Sequence, residues 1–428
     1  AEDRFGFFPS FSLGWIVSQE SFLRDRIPAL SFLKLRGSYG LVGNDKIGSD
    51  RFLFLQTFDP GDNYWFGTDD NLGSYPTIYE GAMGNENVTW EVGKKTNIGI
   101  DVMFFKDKLS LNMDLFREDR ERIFIQRSAA PTILGVGLPQ ENIGAVRNEG
   151  FEIETRYQGQ AGNVSYFLDG KLSYSKNTVV NTDEIPPEFD YMARTGKPVG
   201  QNFGLKVLGY YTPDDFVDDG DGNLTLKEGL PVPTYGPFQP GDVKYWDRNG
   251  DGIIDNFDEG PIGNSRIPRY EFGFSAGMNY KGWDFSMLWQ GSAGHHKFIT
   301  SFGAWEPVRD RDRFMEHHLY SWTEERWKNG EEIRYPLLHA SQNSHNHRNN
   351  SFFQKRGDYL RLKNIEIGYN IPTQTLSSVG IQSLRVYATG TNLLTFSDIK
   401  NFDPEVGSTS GLSYPQMRLW TLGLNIKL

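Results

Sequence analysis

Apolar and polar residues alternate with period two through most of the chain, and the 3.6-residue spacing of an amphipathic helix is scarce. In residues 96–105, Ile98, Ile100, Val102 and Phe104 share one face, while Asn97, Gly99 and Asp101 share the other. The next run answers it. Leu109, Leu111, Met113 and Leu115 alternate with Ser110, Asn112, Asp114 and Phe116, across a connection of only Lys106, Asp107 and Lys108. Two such runs joined by a short polar connection predict an antiparallel hairpin. The signature returns at 151–157, 164–174, 270–280, 283–290 and 359–370, and in the last run through Leu422, Leu424, Ile426 and Leu428. Roughly a dozen strands of about ten residues result, the length a tilted strand needs to cross a bilayer. Several begin or end in Tyr, Trp or Phe, as an interfacial aromatic girdle would. Connections alternate between tight turns (Lys106–Lys108, Gly159–Asn163, Lys281-Gly282) and long polar stretches at 52–88, 119–146, 183–265 and 291–357. The pattern predicts an all-β fold, a transmembrane antiparallel β-barrel with long extracellular loops. A soluble β-sandwich also alternates, but one this large would show more charged residues on its outward positions.

Composition narrows the classes. The chain has 428 residues and a formal charge of −11, which argues against a nucleic-acid partner because neutralising phosphates requires clustered Lys and Arg. It has no cysteine, which excludes disulfides, thiolate metal sites and a Cys nucleophile. No apolar run reaches the length of a transmembrane helix, and barrels hide their apolar residues at alternate positions. Ala1 opens no signal peptide, so a processed or longer precursor is expected.

Several segments together resemble the C-terminal half of the TonB-dependent outer-membrane transporters of the SusC/RagA type. They are Gly43-Asn44-Asp45-Lys46-Ile47-Gly48, Asn87-Val88-Thr89-Trp90-Glu91 with Thr96-Asn97-Ile98-Gly99, and Asn142-Ile143-Gly144 with Asn148-Glu149-Gly150-Phe151-Glu152. Then come Gly241-Asp242-Val243-Lys244-Tyr245, Asp358-Tyr359-Leu360-Arg361-Leu362-Lys363-Asn364, Arg385-Val386-Tyr387 with Thr391-Asn392-Leu393-Leu394, and Phe402-Asp403-Pro404-Glu405. The resemblance implies a barrel of about 22 strands around a plug, in the outer membrane of a Gram-negative bacterium and in contact with its lipid bilayer and lipopolysaccharide. A SusD-type surface lipoprotein would form a lid, TonB would pull on the plug, and oligosaccharides or peptides would be imported. A dimer of transporter–lid pairs is also implied. Residues 1–428 are then expected to be the C-terminal portion of the barrel, without plug, TonB box or early strands. Leu428 departs from the aromatic residue that usually closes such chains.

The sharpest local motif runs from Asp247 to Asp258. Counting Asp247 as the first position, Asn249, Asp251, Asp255 and Asp258 fall at 3, 5, 9 and 12, with Gly252 at 6 and the Ile253 carbonyl at 7. That is EF-hand spacing, suited to Ca²⁺ ahead of Mg²⁺ in a structural role; an Asx-rich turn without metal is the competing reading. A second acidic run, Asp214–Asn223, is less well spaced and reads as a solvated loop. All seven histidines lie between His295 and His347, read as an exposed loop, and 310–329 is the best helical candidate. Carboxylate pairs such as Glu152/Glu154 and Asp403/Glu405 exist, but nothing selects an acid and a base, and there is no Gly-x-Ser-x-Gly, phosphate loop or His-Glu-x-x-His. The chain is therefore not read as an enzyme. Tyr64, Trp65, Phe66, Tyr210, Tyr211, Tyr235, Phe238 and Trp305 stand in loops among Gly, Asn and Asp, where aromatic faces could stack on sugars or pack the loops together. A soluble calcium-containing β-protein that binds or hydrolyses glycans is the rival reading, and an adhesin-like barrel a third.

Overall fold

The structure is a computed structural model and describes residues 5–24, 26–46, 52–68, 71–81, 83–128, 138–221, 223–308, 313–376, 380–407, 410 and 413–428. Its main feature is an antiparallel sheet of eleven strands in chain order. They are β1 (Ser10–Ile16), β2 (Leu30–Asn44), β3 (Glu91–Phe104), β4 (Leu109–Gln126), β5 (Gln140–Ala161) and β6 (Val164–Asn181). The others are β7 (Tyr270–Tyr280), β8 (Trp283–Ala293), β9 (Tyr359–Ile371), β10 (Ser383–Ser397) and β11 (Leu419–Lys427). By packing, the chain divides into two units: residues 1–153 with 175–187 and 193–199, and residues 154–174 with 188–192 and 200–428. Among the described residues no helix is long and apolar enough to cross a membrane.

In the first unit, register turns sequence alternation into two faces. Leu35 pairs with Ile100 and Ile100 with Met113; Gly37 pairs with Ile98 and Ile98 with Leu115. Ile98 is 61% exposed on that apolar face. One residue along, the opposite face carries Arg36, Gly99 and Asp114 as one rung. The Arg36 guanidinium gives two 2.5 Å hydrogen bonds to Asp114 and reaches Asp101 at 3.2 Å. Gly99 is what lets it cross: a Cβ there would stand 2.4 Å from Arg36 Cζ. Exposed hydrocarbon on one face and internally paired charge on the other is the reverse of a soluble sheet.

The second unit repeats the arrangement. Tyr166, Met278, Phe285, Ile367 and Ala388 form one apolar rung. On the other face, Arg385 binds both Asp284 and Glu366 across Gly368. Tyr280, Trp283 and Tyr369 mark the tight-turn end of the apolar face, and Tyr174 and Tyr270 mark its other end. Tyr270 and Tyr280 are the ends of one eleven-residue strand. At about 3.4 Å per residue and a tilt near 45°, they lie about 24 Å apart in depth, the height of an outer-membrane apolar band.

The turns and loops depart from expectation in instructive ways. The connection expected at 159–163 shrinks to Gly162-Asn163, because the strands on either side continue in pairing. Residues 119–146, expected as a long loop, are largely strand: β4 runs to Gln126 and β5 starts at Gln140, with 129–137 outside the described residues. The charges that suggested a loop answer one another across strands, Lys94 to Glu121 at 2.7 Å and Arg147 to Asp119 at 2.6 Å. Residues 52–88 hold two small hairpins, Phe58–Pro60 with Ile78–Glu80 and, inside it, Tyr64–Thr68 with Asn71–Tyr75. The expected helix at 310–329 begins outside the described residues and is otherwise two pieces, a 3₁₀ turn at Glu316–Tyr320 and a helical turn at Glu324–Lys328. Phe314 and Leu319 point outward while His318 and Trp322 are buried, so the expected common face does not form.

Candidate functional site in the loops of the second unit

The described residues of the second unit's long connections, within 200–269, 294–358 and 398–418, fold into a body with its own core. Leu205, Val243, Tyr245 and Ile254 make one cluster; Ile299, Ala304, Tyr335, Phe353 and Ile399 make another. Loops have few ladder partners, so side chains must satisfy their buried backbone groups. Asn346 accepts from the Val243 amide at 3.0 Å and donates to Asp242 at 2.7 Å. His345 Nε2 donates to the Val243 carbonyl at 2.7 Å, and Tyr245 donates to the His345 carbonyl at 2.6 Å. Asn350 donates to the Asn346 carbonyl at 3.0 Å. The expectation of exposed histidines is therefore corrected. His295, His318 and His345 are buried, and the rings of His318 and His345 bind backbone carbonyls where no strand does.

Above the second cluster lies a cavity of about 460 Å³. Ile299, Ala304, Phe353 and Ile399 floor it, Tyr335, Phe352 and Phe402 wall it, and Glu316, Arg334, Lys355, Asp398 and Lys400 supply its charge. Beneath it, the buried Glu306 carboxylate accepts from Tyr335 Oη at 2.5 Å and from His347 Nε2 at 2.9 Å. Burial opposes the charge on Glu306, but these donors prevail and hold it below the usual range. The Ala304 carbonyl accepts from Nε2 of both His317 and His318. Burial drives His318 down to about 4, so it stands neutral. Lys355 is exposed as a residue, but partial desolvation of its ammonium by the cavity wall lowers its pKa.

None of the eight aromatic candidates lines this cavity. Tyr64, Trp65 and Phe66 stand exposed on the hairpin of the first unit. Tyr211 is 2% exposed and packs against Phe238 with ring centroids 5.0 Å apart. Phe238 also stacks on His345 and lines a smaller cavity of about 200 Å³ with Asp242 and His339. Tyr210 sits edge-on to Phe352, and burial raises its phenol to about 12. Tyr235 lies under the Arg348 guanidinium at 4.1 Å, and Trp305 stacks on His347 at 4.4 Å. The cavity's own aromatics, Tyr335, Phe352, Phe353 and Phe402, were not singled out by sequence. The adjacent Phe352-Phe353 followed by Lys355 in a Ser/Asn-rich stretch was the available signal.

The acidic loop keeps its spacing but turns its oxygens onto its own backbone. Asp247 accepts from the amides of Gly250 and Gly252, Asp251 from Ile253, and Asp255 from Phe257. Asp258 is buried and accepts from Arg248 and Asp255, and burial raises its pKa. Among the described residues no three His, Cys, Asp or Glu side chains gather into a metal-binding group. The second acidic run closes the same way, with Asp219 accepting from Asp221 and Asn223.

The family model for TonB-dependent receptor-like β-barrels matches residues 1–393. The chain belongs to that family. It is accordingly an outer-membrane barrel chain of a Gram-negative bacterium, and the soluble reading is corrected: the exposed apolar rungs face lipid. TonB-dependent receptor P3 of Formosa agariphila is 27% identical, over 99% of this chain and 42% of its own length. TonB-dependent receptor SusC of Bacteroides thetaiotaomicron is 28% identical, over 100% of this chain and 40% of its own. The chain thus spans about two fifths of the length of these relatives. The solved RagAB peptide transporter matches with a TM-score of 0.73 at 20% identity, over 100% of this chain and 44% of that one, a likeness of fold.

Proposed function

We propose that this chain is the C-terminal portion of the barrel of an active importer of oligosaccharides or peptides. In this reading a SusD-type lipoprotein lids the long-loop end, and TonB drives the passage through a plug supplied outside residues 1–428. Two such pairs would form a dimer. The observation that carries the reading is the sheet itself, with lipid-facing hydrocarbon, a polar face of paired charge, and folded loops at one end only. The relatives named SusC and RagAB support it. The test is uptake of labelled nutrient by cells carrying the whole gene, with and without TonB and the lipoprotein. Uptake that persists without TonB refutes the reading.

The loop from Asp247 to Asp258 is proposed to take Ca²⁺, with Mg²⁺ second, in a structural role. Support comes from the EF-hand spacing and from Gly250 and Gly252, both at positive φ. Asp247, Asn249, Asp251, the Ile253 carbonyl, Asp255 and Asp258 would hold it.

A further inference from the structure

We propose that the 460 Å³ cavity is a subsite for the C-terminal residue of a peptide, with its apolar side chain against Phe352, Tyr335 and Phe402 and its carboxylate on the Lys355 ammonium. This rests on the transport reading and narrows its substrate class. The first argument is the character of the wall. Most of it is hydrocarbon, and the amide of Asn401 is directed to His317 Nδ1 at 3.5 Å. A sugar ring would require several amides and carboxylates spread around its hydroxyls, since an unmatched buried hydroxyl is costly, whereas the lining carboxylates are two, Glu316 and Asp398, and Asp398 stands 3.8 Å from Arg356. An apolar side chain requires none.

The second argument is an unmatched charge. Most cations nearby have partners, Lys400 of the lining excepted: Lys297, opposite Lys355 in a short ladder, binds the carbonyls of Pro404 and Val406, and Lys363 binds Glu405. Arg334 binds Glu332, and Arg356 binds Asp358. Among the described residues Lys355 has no carboxylate and no hydrogen-bond acceptor; its ammonium lies 5.2 Å over the Phe352 ring. Apolar wall and free cation therefore adjoin, as do the side chain and carboxylate of one terminal residue. His317 adds no competing charge, because Nε2 donates to Ala304 and burial lowers its pKa. The cavity's volume falls in the range of small-ligand pockets.

The test uses the full-length transporter and a fluorescent tripeptide ending in Phe, as free acid and as C-terminal amide. Amidation is expected to weaken binding about tenfold or more, the scale of a lost charge-assisted hydrogen bond. Lys355→Met should weaken the acid equally and leave the amide unchanged, and Lys355→Arg should restore the preference. If Lys355→Met yields no heat-modifiable barrel, Lys355→Gln is read instead. An amide that binds as well as the acid, or a preference that survives in the variants, overturns the proposal. So does Lys355-dependent binding of a uronate oligosaccharide in place of the peptide. TonB-dependent uptake with no preference for acid over amide peptides defeats this subsite alone, whereas uptake independent of TonB defeats the transport reading.

Discussion

Placing the same charge at nearly the same depth on the two faces of β2 and β3 tests the membrane assignment directly. Ile98 stands six residues along β3 from Phe104, beside the tight turn. At about 3.4 Å per residue and a tilt near 40°, that is about 15 Å of depth, near the middle of an apolar band about 25 Å tall. Its side chain is exposed and has nothing but hydrocarbon beside it along the rung, Gly37 on one side and Leu115 on the other. An arginine there is expected to cost about 2–4 kcal/mol. Ser38 lies one rung away on the opposite face, is exposed, and pairs with Asn97. Ser38→Arg meets a polar face, so its expected cost is within about 0.5 kcal/mol of zero. Equilibrium urea unfolding of the full-length protein in lipid vesicles reads both from the midpoint at constant m. If Ile98→Arg moves the midpoint no further than Ser38→Arg, the faces have been assigned wrongly, and the barrel geometry with them.

Four further outcomes follow from particular contacts. Gly368→Ala would place a Cβ 2.5 Å from Arg385 Nη2 and swing that side chain off Asp284 and Glu366; a loss of about 1–3 kcal/mol in the same unfolding assay is expected. His318 is buried and neutral with its pKa lowered to about 4 by burial, below its unfolded value near 6.5. Its share of loop stability is therefore full above pH 6.5 and lost progressively toward pH 4, up to about 3 kcal/mol. Hydrogen-exchange protection factors of residues 294–308 and 313–358, taken relative to intrinsic exchange at each pH, should fall on acidification and do so less steeply in His318→Gln. Tyr211→Ala should loosen the loop body by about 3–5 kcal/mol, while Trp65→Ala, on an exposed ring, should leave unfolding unchanged and lower uptake if that hairpin meets substrate or lid. Terbium luminescence displaced by Ca²⁺, and lost in Asp251→Ala, is the expected signature of the acidic loop; no sensitised emission refutes the metal.

Sequence and structure agree where chemistry repeats with the backbone. Strand geometry forces side chains to alternate, so Ile98, Ile100, Leu111 and Met113 declare their face without any knowledge of partners. Pairing register is not so declared. Nothing in the run around Gly99 announces that Arg36 crosses it to Asp114, because the two carboxylates that fix the guanidinium come from different strands. The charged ends of β4 and β5 misled for the same reason. Asp119 to Glu121 read as polar loop when taken alone and become strand only when Lys94 and Arg147 stand opposite.

The loop body was hidden for a deeper reason. Its core is built from residues that composition assigns to the surface. His345, Asn346 and Asn350 are buried because each supplies hydrogen bonds that a ladder would otherwise supply. A buried amide in such a body is thus the counterpart of a strand partner, and polar sequence there means interior. By the same logic, the informative group is the one left over after that accounting. Once the described cations around the cavity have been matched to their acceptors, Lys355 and Lys400 remain, and of the two the Lys355 ammonium lies over an aromatic ring beside a wall of hydrocarbon. A fold that pairs Lys297, Arg356 and Lys363 so closely, yet leaves a charge open on that wall, keeps it for a ligand's carboxylate.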